Sequence, residues 1–386
     1  MSLRYLQITD SKTLGGCELY AWKVARAAHQ AGWKVGCMLP DGGSALAGKY
    51  RASGLSVLPI QEVGGASFSR RYQQALRMLK LYRAVQAFRP DVIQLVLQWQ
   101  TQAPDILRLL AATGRPVQVV LQLVDPALAF SERHLRSYRR VAQAFPGAIV
   151  AVSESSRDAL ARLARLPGTA FSVIENGAAP VAPVTPGLRE QKRGEIERRF
   201  QIPPGRKLLL TVGQLMARKG YFYLLPAVAE LARTRSDFHC LWLGEGEARK
   251  ELEEAIAFYN VGCFVTLAGR QDAPEDFYAA ADAFVFPSLL EGYSFALLEA
   301  MAHGLPVLAA DCIGNVDAVQ DGHNGRLYRA ADSIAIWRAL EEFLDHPERA
   351  MVWASEARAT VEKSSEAGMI RRTLQALQSL AEKFSP

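Results

Sequence analysis

The chain has 386 residues, of which 49% are hydrophobic and 22% are charged. This length exceeds one ordinary hydrophobic core and the composition is that of a globular protein, which excludes both a single small domain and a disordered chain. The net charge of +6 is uneven, because residues 1–190 carry 23 Lys and Arg against 12 Asp and Glu, a net of +11, and the remainder carries −5. This asymmetry suggests two parts with different partners, although no nucleic-acid-binding signature accompanies the basic part.

The beginning of the chain and its cysteines favour a cytoplasmic protein. No apolar run reaches the ~18 residues that a membrane helix needs. Residues 3–9 contain polar Gln7 and Thr9, so they predict a first β-strand rather than a signal peptide. The five cysteines are scattered and lack CxxC spacing, which favours free thiols in a reducing compartment over disulfides or a zinc site.

Short apolar β-branched runs alternate with helical patterns, which predicts βαβ units and parallel sheets. Residues 178–190 contain three prolines without periodicity and are typical of a linker. The sequence therefore predicts two doubly wound domains, at 1–185 and 186–365, with a final helix at about 366–386 that packs back on the first. Strands are predicted at residues 3–9, 35–40, 55–60, 92–97, 117–123 and 148–153, and then at 208–213, 239–244, 264–269, 283–288 and 306–310.

The first candidate ligand site follows the strand at residues 3–9, since ligands bind at the carboxyl ends of parallel strands. Gly15 and Gly16 would let the backbone approach a ligand. A helix predicted from about Glu18 to Ala31 would direct free N–H groups and its positive dipole end at an anion. An ordinary tight turn before a helix has the same pattern, so both interpretations stay open.

A basic amphipathic helix is predicted over residues 68–88. Its apolar stripe is interpreted as the face that packs on the sheet, and its basic side is a candidate contact for an anionic membrane or an acceptor. An ordinary surface helix is the alternative. The apolar members are Tyr72, Leu76, Leu79 and Tyr82, and the basic members are Arg70, Arg77 and Lys80.

The second candidate site is the segment at residues 213–220, between a predicted strand and a helix that starts near Tyr221. Two adjacent cations beyond a strand end suit a diphosphate. Lys219, beside a glycine turn, is the candidate ligand-binding residue, whereas a solvated loop charge is the preferred interpretation of Arg218.

The third candidate site runs from Phe286 to Pro306, where a strand ends, a glycine loop follows and a helix begins near Ser294. Glu291 falls in the loop and Glu299 on the helix. Eight residues correspond to ~12 Å of helical rise, whereas a retaining glycosidase needs its carboxylates ~5 Å apart. The spacing therefore favours two acceptors that hold the two ends of an extended ligand, such as the two sugars of a nucleotide sugar, over a hydrolytic pair.

These motifs together resemble the large family of retaining glycosyltransferases numbered four. The resemblance covers nearly the whole chain, and its most specific part is the pair of glutamates that flank seven residues, Glu291 and Glu299. The weaker matches become specific in this order and spacing. They are the glycine loop Gly15-Gly16-Cys17-Glu18, the pair Asn176-Gly177, the turn Gly244-Glu245-Gly246, and Asp321-Gly322 with Asn324-Gly325.

The resemblance implies the GT-B fold, in which two Rossmann-like doubly wound domains face a central cleft and the second domain holds most of the donor. It implies that Glu299 binds the ribose hydroxyls, that Glu291 contacts the transferred sugar, and that Lys219 with Gly16 helps to hold the diphosphate. No cofactor is expected. No metal is expected either, because the sequence contains no Asp-x-Asp motif. Further donor-binding residues implied in this way are Gly213, Gln214, Arg218 and the loop Gly292, Tyr293, Ser294, Phe295, Ala296 and Leu297.

Two positions depart from the family pattern. Gln214 stands where many members carry an arginine, and Arg218 is a candidate replacement for that charge. Val124-Asp125 stands where many carry His-Asp. His134 is a candidate substitute, although solvent exposure explains it more simply. Val124, Asp125 and Asn176 are the candidate residues for contact with the sugar or the acceptor.

The function expected from the resemblance is transfer of a hexosyl unit from a nucleotide diphosphate sugar to a saccharide or lipid-linked saccharide, in surface polysaccharide, lipopolysaccharide or glycolipid synthesis. The expected location is the cytoplasm, at the inner face of the cytoplasmic membrane. The departures motivate an alternative, a non-catalytic scaffold subunit that binds sugar nucleotides. An epimerase would need an acid/base pair that the sequence does not display, and a phosphorylase would need a lysine for pyridoxal phosphate.

Overall fold

The computed structural model describes residues 2–9, 15–40, 44–59, 70–271 and 273–384, and at residues 59 and 70–73 the backbone alone. The chain forms two compact units. Unit 1 contains Met1–Asn176 and Ala367–Pro386, and unit 2 contains Gly177–Glu366. The chain therefore passes between the units twice, and the first passage precedes the boundary near residue 185 that the sequence predicts.

Unit 1 is built on a parallel sheet of seven strands in the order β3-β2-β1-β4-β5-β6-β7. The strand order reverses between β1 and β4, and open parallel sheets bind ligands at such a reversal. β5 is buried along its whole length and β4 along its first six residues, as expected for a sheet with helices on both faces. The strands are β1 (Arg4–Thr9), β2 (Lys34–Leu39), β3 (Ser56–Pro59), β4 (Val92–Trp99), β5 (Val117–Leu123), β6 (Ile149–Ala151) and β7 (Phe171–Val173).

A row of buried glutamines connects the central strands of unit 1. Gln7, Gln94 and Gln118 are register partners on β1, β4 and β5. Gln94 donates to Gln118 Oε1 at 2.8 Å and accepts from Tyr5 Oη at 2.6 Å. Buried amides are stable only when they are hydrogen-bonded. A shift of one strand by one residue would break these bonds, so the row favours the observed register.

Helices cover the sheet of unit 1, and several start at a side-chain cap. Ser44 accepts from the Ala47 amide and Ser153 from the Ser156 amide, which satisfies donors that a helix leaves free at its start. The helices are α1 (Gly16–Gln30), α2 (Ala45–Ala52), α3 (Arg70–Phe88), α4 (Pro104–Ala112), α5 (Glu132–Ala144) and α6 (Glu154–Ala164).

Unit 2 is a six-stranded parallel sheet in the order β10-β9-β8-β11-β12-β13, with its reversal between β8 and β11. Its strands are β8 (Lys207–Val212), β9 (Phe238–Leu243), β10 (Val265–Gly269), β11 (Ala283–Phe286), β12 (Val307–Ala310) and β13 (Arg326–Tyr328). Its helices are α7 (Pro186–Phe200), α8 (Tyr221–Ala232), α9 (Arg249–Phe258), α10 (Pro274–Ala280), α11 (Phe295–Ala302), α12 (Asn315–Ala318), α13 (Ser333–Asp345) and α14 (Pro347–Lys363).

The last helix, α15 (Glu366–Lys383), belongs to unit 1 from Ala367 onward. Its Thr373 hydroxyl lies 3.3 Å from the Tyr20 hydroxyl of α1. Its end places Phe384 edge-on against Phe145, with ring centroids 5.3 Å apart. Unit 1 is thus completed by residues from both ends of the chain.

The predicted α/β class with two doubly wound parallel sheets is confirmed. Two strands, β7 and β13, are absent from the predicted set, because they have only three residues each and so show no clear pattern. Its linker at residues 178–190 is too long, because α7 begins at Pro186 with Thr185 as its N-cap. Proline is favoured at the first helical position, where its missing N–H costs nothing.

Candidate functional site

The second and third candidate sites lie side by side at the strand-order reversal of unit 2. Residues 213–220 follow β8, and residues 287–294 follow β11. These strands are neighbours in the sheet, so loops about 70 residues apart in sequence meet at the edge where open parallel sheets bind ligands. The Leu289 amide donates to the Arg218 carbonyl at 2.8 Å and joins the two loops directly.

Gly220 makes this close approach sterically feasible. It has a φ of +74°, which is costly for other residues. A Cβ at this position would overlap the carbonyl oxygen of Pro287. The first loop can therefore lie against the second only with glycine at this position.

Glu291 is buried at the meeting point of the two loops and is paired with both cations of the first loop. Its Oε1 lies 2.6 Å from Lys219 Nζ and 3.3 Å from Arg218 Nη1. Arg218 Nη1 also donates to the Leu290 carbonyl at 2.6 Å. The interpretation of Arg218 as a solvated loop charge is therefore wrong, because its side chain is only 16% exposed and is held by the second loop.

The charges around Glu291 set its protonation state. Burial alone would raise its pKa, but the charges of Lys219 and Arg218 and the hydrogen bond from Lys219 together lower the pKa below the ordinary glutamate value. Burial lowers the pKa of Lys219, and the negative charge of Glu291 opposes that shift. The Glu291 carboxylate is thus ionised at neutral pH and stands beside two cations.

The lysine is enclosed by groups that fix its position. Its Nζ lies 4.9 Å from the centroid of the Phe286 ring, a cation–π contact. Gly213 lies close to its aliphatic stem, and the buried Tyr221 hydroxyl donates to the Gly213 carbonyl at 3.2 Å. The Gly213 amide in turn donates to the Leu243 carbonyl at 3.0 Å, and the Leu215 amide donates to the Glu245 carbonyl at 3.1 Å. These bonds connect the loop to the glycine turn at residues 244–246.

Glu299 lies on α11 and is held by a tyrosine that the sequence analysis did not select. Tyr278 Oη donates to Glu299 Oε2 at 3.1 Å. His303 Nδ1 lies 2.8 Å from the Glu299 carbonyl oxygen, and its ring stacks on Tyr278 with centroids 5.0 Å apart. No sequence signal distinguishes Tyr278 from other apolar positions of α10, since only the packing brings its hydroxyl to Glu299.

The remaining predicted donor residues form the loop and first turn of α11. The Glu291 amide donates to the Ile313 carbonyl at 3.2 Å, which fixes the loop where it meets α11. Gly292, Tyr293 and Ser294 are buried and Phe295 and Ala296 half-buried, while the Leu297 side chain faces the core. A ligand at this point would therefore meet backbone amides and the helix N-terminus rather than these side chains. Gln214 is exposed.

The glycine loop of unit 1 is the start of α1. Gly16 is its first residue, and the Gly15 amide donates to Glu18 Oε2 at 2.8 Å. Glu18 is buried, at 2% exposure. A carboxylate in the first turn already interacts with the helix dipole, so the tight-turn interpretation and the anion interpretation of these glycines both stay open.

The other candidates of unit 1 are held by hydrogen bonds or are buried. Val124 is fully buried, so its side chain offers no surface to a sugar or an acceptor, contrary to the sequence-based assignment. The Asp125 amide donates to Gln100 Oε1 at 3.1 Å, and Asn176 Nδ2 donates to Gln122 Oε1 at 3.1 Å.

His134 has a structural role. Its Nδ1 lies 2.7 Å from Ser131 Oγ and its Nε2 lies 3.0 Å from the Thr101 carbonyl oxygen. These contacts cap the start of α5. Solvent exposure is therefore not the explanation of His134, and its substitution for a family histidine stays a prediction.

Unit 1 has a basic surface formed by α3, α4 and α5. A groove of about 450 Å³ between them contains three arginines, Arg108, Arg133 and Arg140, and one carboxylate, Asp105. Asp105 pairs with Arg133, whereas Arg108 and Arg140 have no carboxylate partner among the residues that the structure describes.

The apolar stripe predicted for α3 is wrong at Leu79 and Tyr82. Leu79 and Tyr82 are each 43% exposed, whereas Leu81 and Val85 are buried. Residues 68 and 69 and the side chains of residues 70–73, which include Arg70 and Tyr72, lie outside the described part. Leu76 and Arg77 are half-buried, and Lys80 is exposed.

The structure also bears on metal binding, on the cysteines and on membrane-spanning helices. Within the described ranges, no group of three or more His, Cys, Asp or Glu side chains could hold a metal ion. All five cysteines are free thiols, and Cys263 is exposed. None of the helices in the described ranges is long and apolar enough to cross a bilayer.

Comparison with known families gives two matches that together span most of the chain. The model of "Glycosyltransferase Family 4" matches residues 14–180, and that of "Glycosyl transferases group 1" matches residues 192–360. Over 235 residues the chain is 27% identical to an alpha-D-kanosaminyltransferase of Streptomyces kanamyceticus, covering 60% of this chain and 58% of the relative. It is 32% identical over 147 residues to the lipopolysaccharide core biosynthesis glycosyltransferase LpsE of Rhizobium meliloti, covering 38% and 42%. The chain thus spans about half the length of these curated relatives.

Solved structures of similar fold cover nearly the whole chain. Anabaena HepE in complex with UDP and glucose has a TM-score of 0.81 at 20% identity, covering 98% of this chain and 100% of HepE. WaaG, a glycosyltransferase involved in lipopolysaccharide biosynthesis, has a TM-score of 0.73 at 17% identity, covering 97% and 99%. At these identities the likeness establishes the fold.

Proposed function

Because the chain belongs to the GT-B glycosyltransferases of the family-four type, we propose that it transfers a hexosyl unit from a nucleotide diphosphate sugar to a saccharide or lipid-linked saccharide, with retention of configuration. The observation that carries the proposal is the cluster of Glu291, Lys219 and Arg218 at the strand-order reversal of unit 2, with Glu299 in the second turn of the following helix, α11. One relative is named for lipopolysaccharide core biosynthesis, which supports a surface glycan as the product.

Each group has a role in this proposal. Glu299 accepts hydrogen bonds from the ribose hydroxyls, and Glu291 contacts the transferred sugar. Lys219 and the amides at the start of α11 hold the diphosphate and stabilise the charge that develops as it leaves. Since a lysine and a helix N-terminus supply this positive charge, the proposed reaction needs neither a metal nor another cofactor.

Donor binding is tested first by thermal stability in the presence of uridine, guanosine and adenosine diphosphate sugars. A donor at about 100 times its Kd adds ~2.7 kcal/mol to the free energy of unfolding. Turnover with that donor and a saccharide acceptor should give a product whose anomeric configuration, read by NMR, matches the donor. A product of inverted configuration contradicts the retaining mechanism, and the absence of binding across all donors contradicts the function.

The alternative function is a non-catalytic scaffold subunit that binds sugar nucleotides. Two observations favour it: Val124 is buried where many family members carry a histidine, and Arg218 is held by Glu291 and Leu290 rather than exposed. Calorimetry and a donor-hydrolysis assay separate the two functions. Binding without turnover across donors and acceptors identifies the scaffold.

We further propose that unit 1 contacts the inner face of an anionic membrane through α3, α4 and α5. The exposed Leu79 and Tyr82 would enter the headgroup region, and Arg108 and Arg140 of the groove would meet anionic lipid, each basic residue contributing ~1 kcal/mol. The free thiols are consistent with the reducing cytoplasm on that side.

Co-sedimentation with vesicles tests the membrane contact. Wild type should bind phosphatidylserine-containing vesicles, less at high salt, and should not bind neutral phosphatidylcholine vesicles. The double variant Arg108→Glu/Arg140→Glu should lose binding. The matched control is Lys250→Glu, which reverses a charge at a side chain of unit 2 that is 87% exposed and should leave binding unchanged. Equal binding to both vesicle types contradicts the proposal.

A further inference from the structure

Two side chains contact Glu299, the buried Tyr278 and the half-buried His303. The Tyr278 hydroxyl lies 3.1 Å from Glu299 Oε2 and 3.3 Å from the Ala296 carbonyl oxygen. The His303 ring packs on the tyrosine ring, with 25° between their planes, and its Nδ1 contacts the Glu299 carbonyl oxygen. Both the side chain and the backbone of Glu299 are therefore contacted by this pair.

The protonation states of the pair make the direction of these hydrogen bonds definite. Burial and the neighbouring Glu299 charge raise the pKa of the Tyr278 phenol well above its usual value, so the hydroxyl keeps its proton and donates. Burial lowers the pKa of His303, so the imidazole is neutral at pH 7. Its Nδ1 faces a carbonyl oxygen, which can only accept, and therefore carries the hydrogen.

The packing of Tyr278 does not require a hydroxyl. Its ring lies 5.9 Å from Phe284, and Phe284 stacks on Phe286 at 5.4 Å. Phe286 in turn contacts Lys219, so one row of rings underlies both Glu299 and the lysine. A phenylalanine at position 278 would fill the same space. The packing of the core therefore explains the ring of Tyr278 but not its hydroxyl.

We infer that Tyr278 is a positioning residue that holds the Glu299 carboxylate in the orientation that accepts the ribose hydroxyls of the donor. The inference rests on the proposed function. A glutamate on a helix has several rotatable bonds, and fixing them on ligand binding costs entropy. A hydrogen bond from a neutral buried donor fixes the carboxylate in advance, while a carboxylate retains acceptor sites for further bonds.

The variant Tyr278→Phe tests the inference by removing one oxygen atom. Calorimetry should show about tenfold weaker binding of uridine, guanosine or adenosine diphosphate, whichever binds wild type, because a hydrogen bond to a charged group is lost. The loss should shrink to less than about twofold for the 2′-deoxy or 3′-deoxy analogue that lacks the hydroxyl held by Glu299. At saturating donor, kcat should stay within about twofold of wild type.

Two further variants keep the result interpretable. In a Glu299→Ala background, Tyr278→Phe should cause no additional loss of affinity, since Tyr278 acts through the carboxylate. Tyr328→Phe is the matched control, because it removes a hydroxyl from another buried tyrosine of unit 2 that has no hydrogen-bond partner among the described residues. It should bind all nucleotides as wild type does.

The outcomes separate the inference from the function on which it rests. If wild type binds none of the nucleoside diphosphates, the proposed function fails. If wild type binds and Tyr278→Phe binds equally well, or loses the same affinity for the ribo and both deoxy compounds, the positioning role alone is overturned. If Tyr278→Phe does not fold, comparison of Glu299→Gln with Glu299→Ala decides, because glutamine still accepts from the tyrosine and should retain part of the discrimination.

Discussion

Glu291 is a carboxylate buried between Lys219 and Arg218, and the three charges depend on one another. The side chains of Glu291 and Lys219 are only 7% and 11% exposed, so each charge would be costly without its partner. Removing one member of such a pair leaves an uncompensated buried charge. Removing one charge of this cluster should therefore lower both the stability of the fold and the activity of the site.

The variant Glu291→Gln should lose turnover and about 3 kcal/mol of unfolding free energy, because Lys219 and Arg218 keep their charges without a carboxylate. Chemical denaturation at neutral pH measures the stability loss. Glu253→Gln is the control, since Glu253 belongs to an exposed ion pair with Arg249 and should change stability by less than about 1 kcal/mol. An unchanged stability of Glu291→Gln would show that the pair is not formed in solution.

The substitution Glu291→Gln should also change how the unfolding free energy depends on pH. The pKa of Glu291 is lower in the folded state than in the unfolded chain, so the unfolded chain takes up the proton first as the pH falls. The stabilising contribution is complete above the ordinary glutamate pKa and is lost as the pH falls through the lower folded value. Unfolding free energies measured from about pH 7 to about pH 3 should therefore fall less steeply for Glu291→Gln than for wild type.

At the scale of elements, the site depends on the contact between the turn before α8 and the loop before α11. The first loop is hydrogen-bonded to Leu243, the second to Ile313, and the Leu289 amide joins the two loops. Within this contact Gly220, at a positive φ, lies so near the Pro287 carbonyl that an added Cβ would overlap it. This glycine is therefore a position at which the arrangement is sensitive to substitution.

Gly220→Ala should cost about 3 kcal/mol or more, since both backbone strain and overlap with Pro287 oppose the added methyl group. Thermal unfolding checks the stability, and a nucleotide titration checks whether the site survives. Gly205→Ala is the matched control, because Gly205 also has a positive φ, +82°, but a Cβ there meets nothing within 4 Å. If the two variants were equally stable, the close approach of the loops would be contradicted.

At the scale of the whole molecule, the last helix completes the unit that contains the beginning of the chain. Residues from Ala367 onward belong to unit 1, and Leu377 of α15 is fully buried. Because Tyr20 of α1 lies in hydrogen-bond contact with Thr373 of α15, the stability of this unit depends on residues that are translated after all of unit 2.

Leu377→Ala should cost about 2–5 kcal/mol through the cavity that it leaves. Hydrogen exchange followed by mass spectrometry should show faster exchange in peptides of β1 and α1, with peptides of β8 unchanged. Met351→Ala, at a side chain of unit 2 that is 60% exposed, should change neither. Faster exchange confined to unit 2 after Leu377→Ala would contradict the assignment of α15 to unit 1.

The sequence by itself determined the fold class and most strands, because parallel strands buried on both faces are continuous apolar runs between helical patterns. It also determined which loops to examine, since Lys219, Glu291 and Glu299 all follow predicted strand ends. The sequence-based prediction failed on α3, where more than one face of the helix carries apolar residues. On α3 the apolar residues Leu79 and Tyr82 resemble a core face, yet Leu81 and Val85 are the buried pair.

Only the tertiary structure decided which loops and side chains meet. The order of strands is not encoded in any local pattern, and the pairing of β8 with β11 is what brings Arg218 and Lys219 to Glu291. The hydrogen bond from Tyr278 to Glu299 depends in the same way on the packing of α10 beside α11. Local periodicity reports which residues avoid water, whereas partners distant in the chain are chosen by the packing of whole elements.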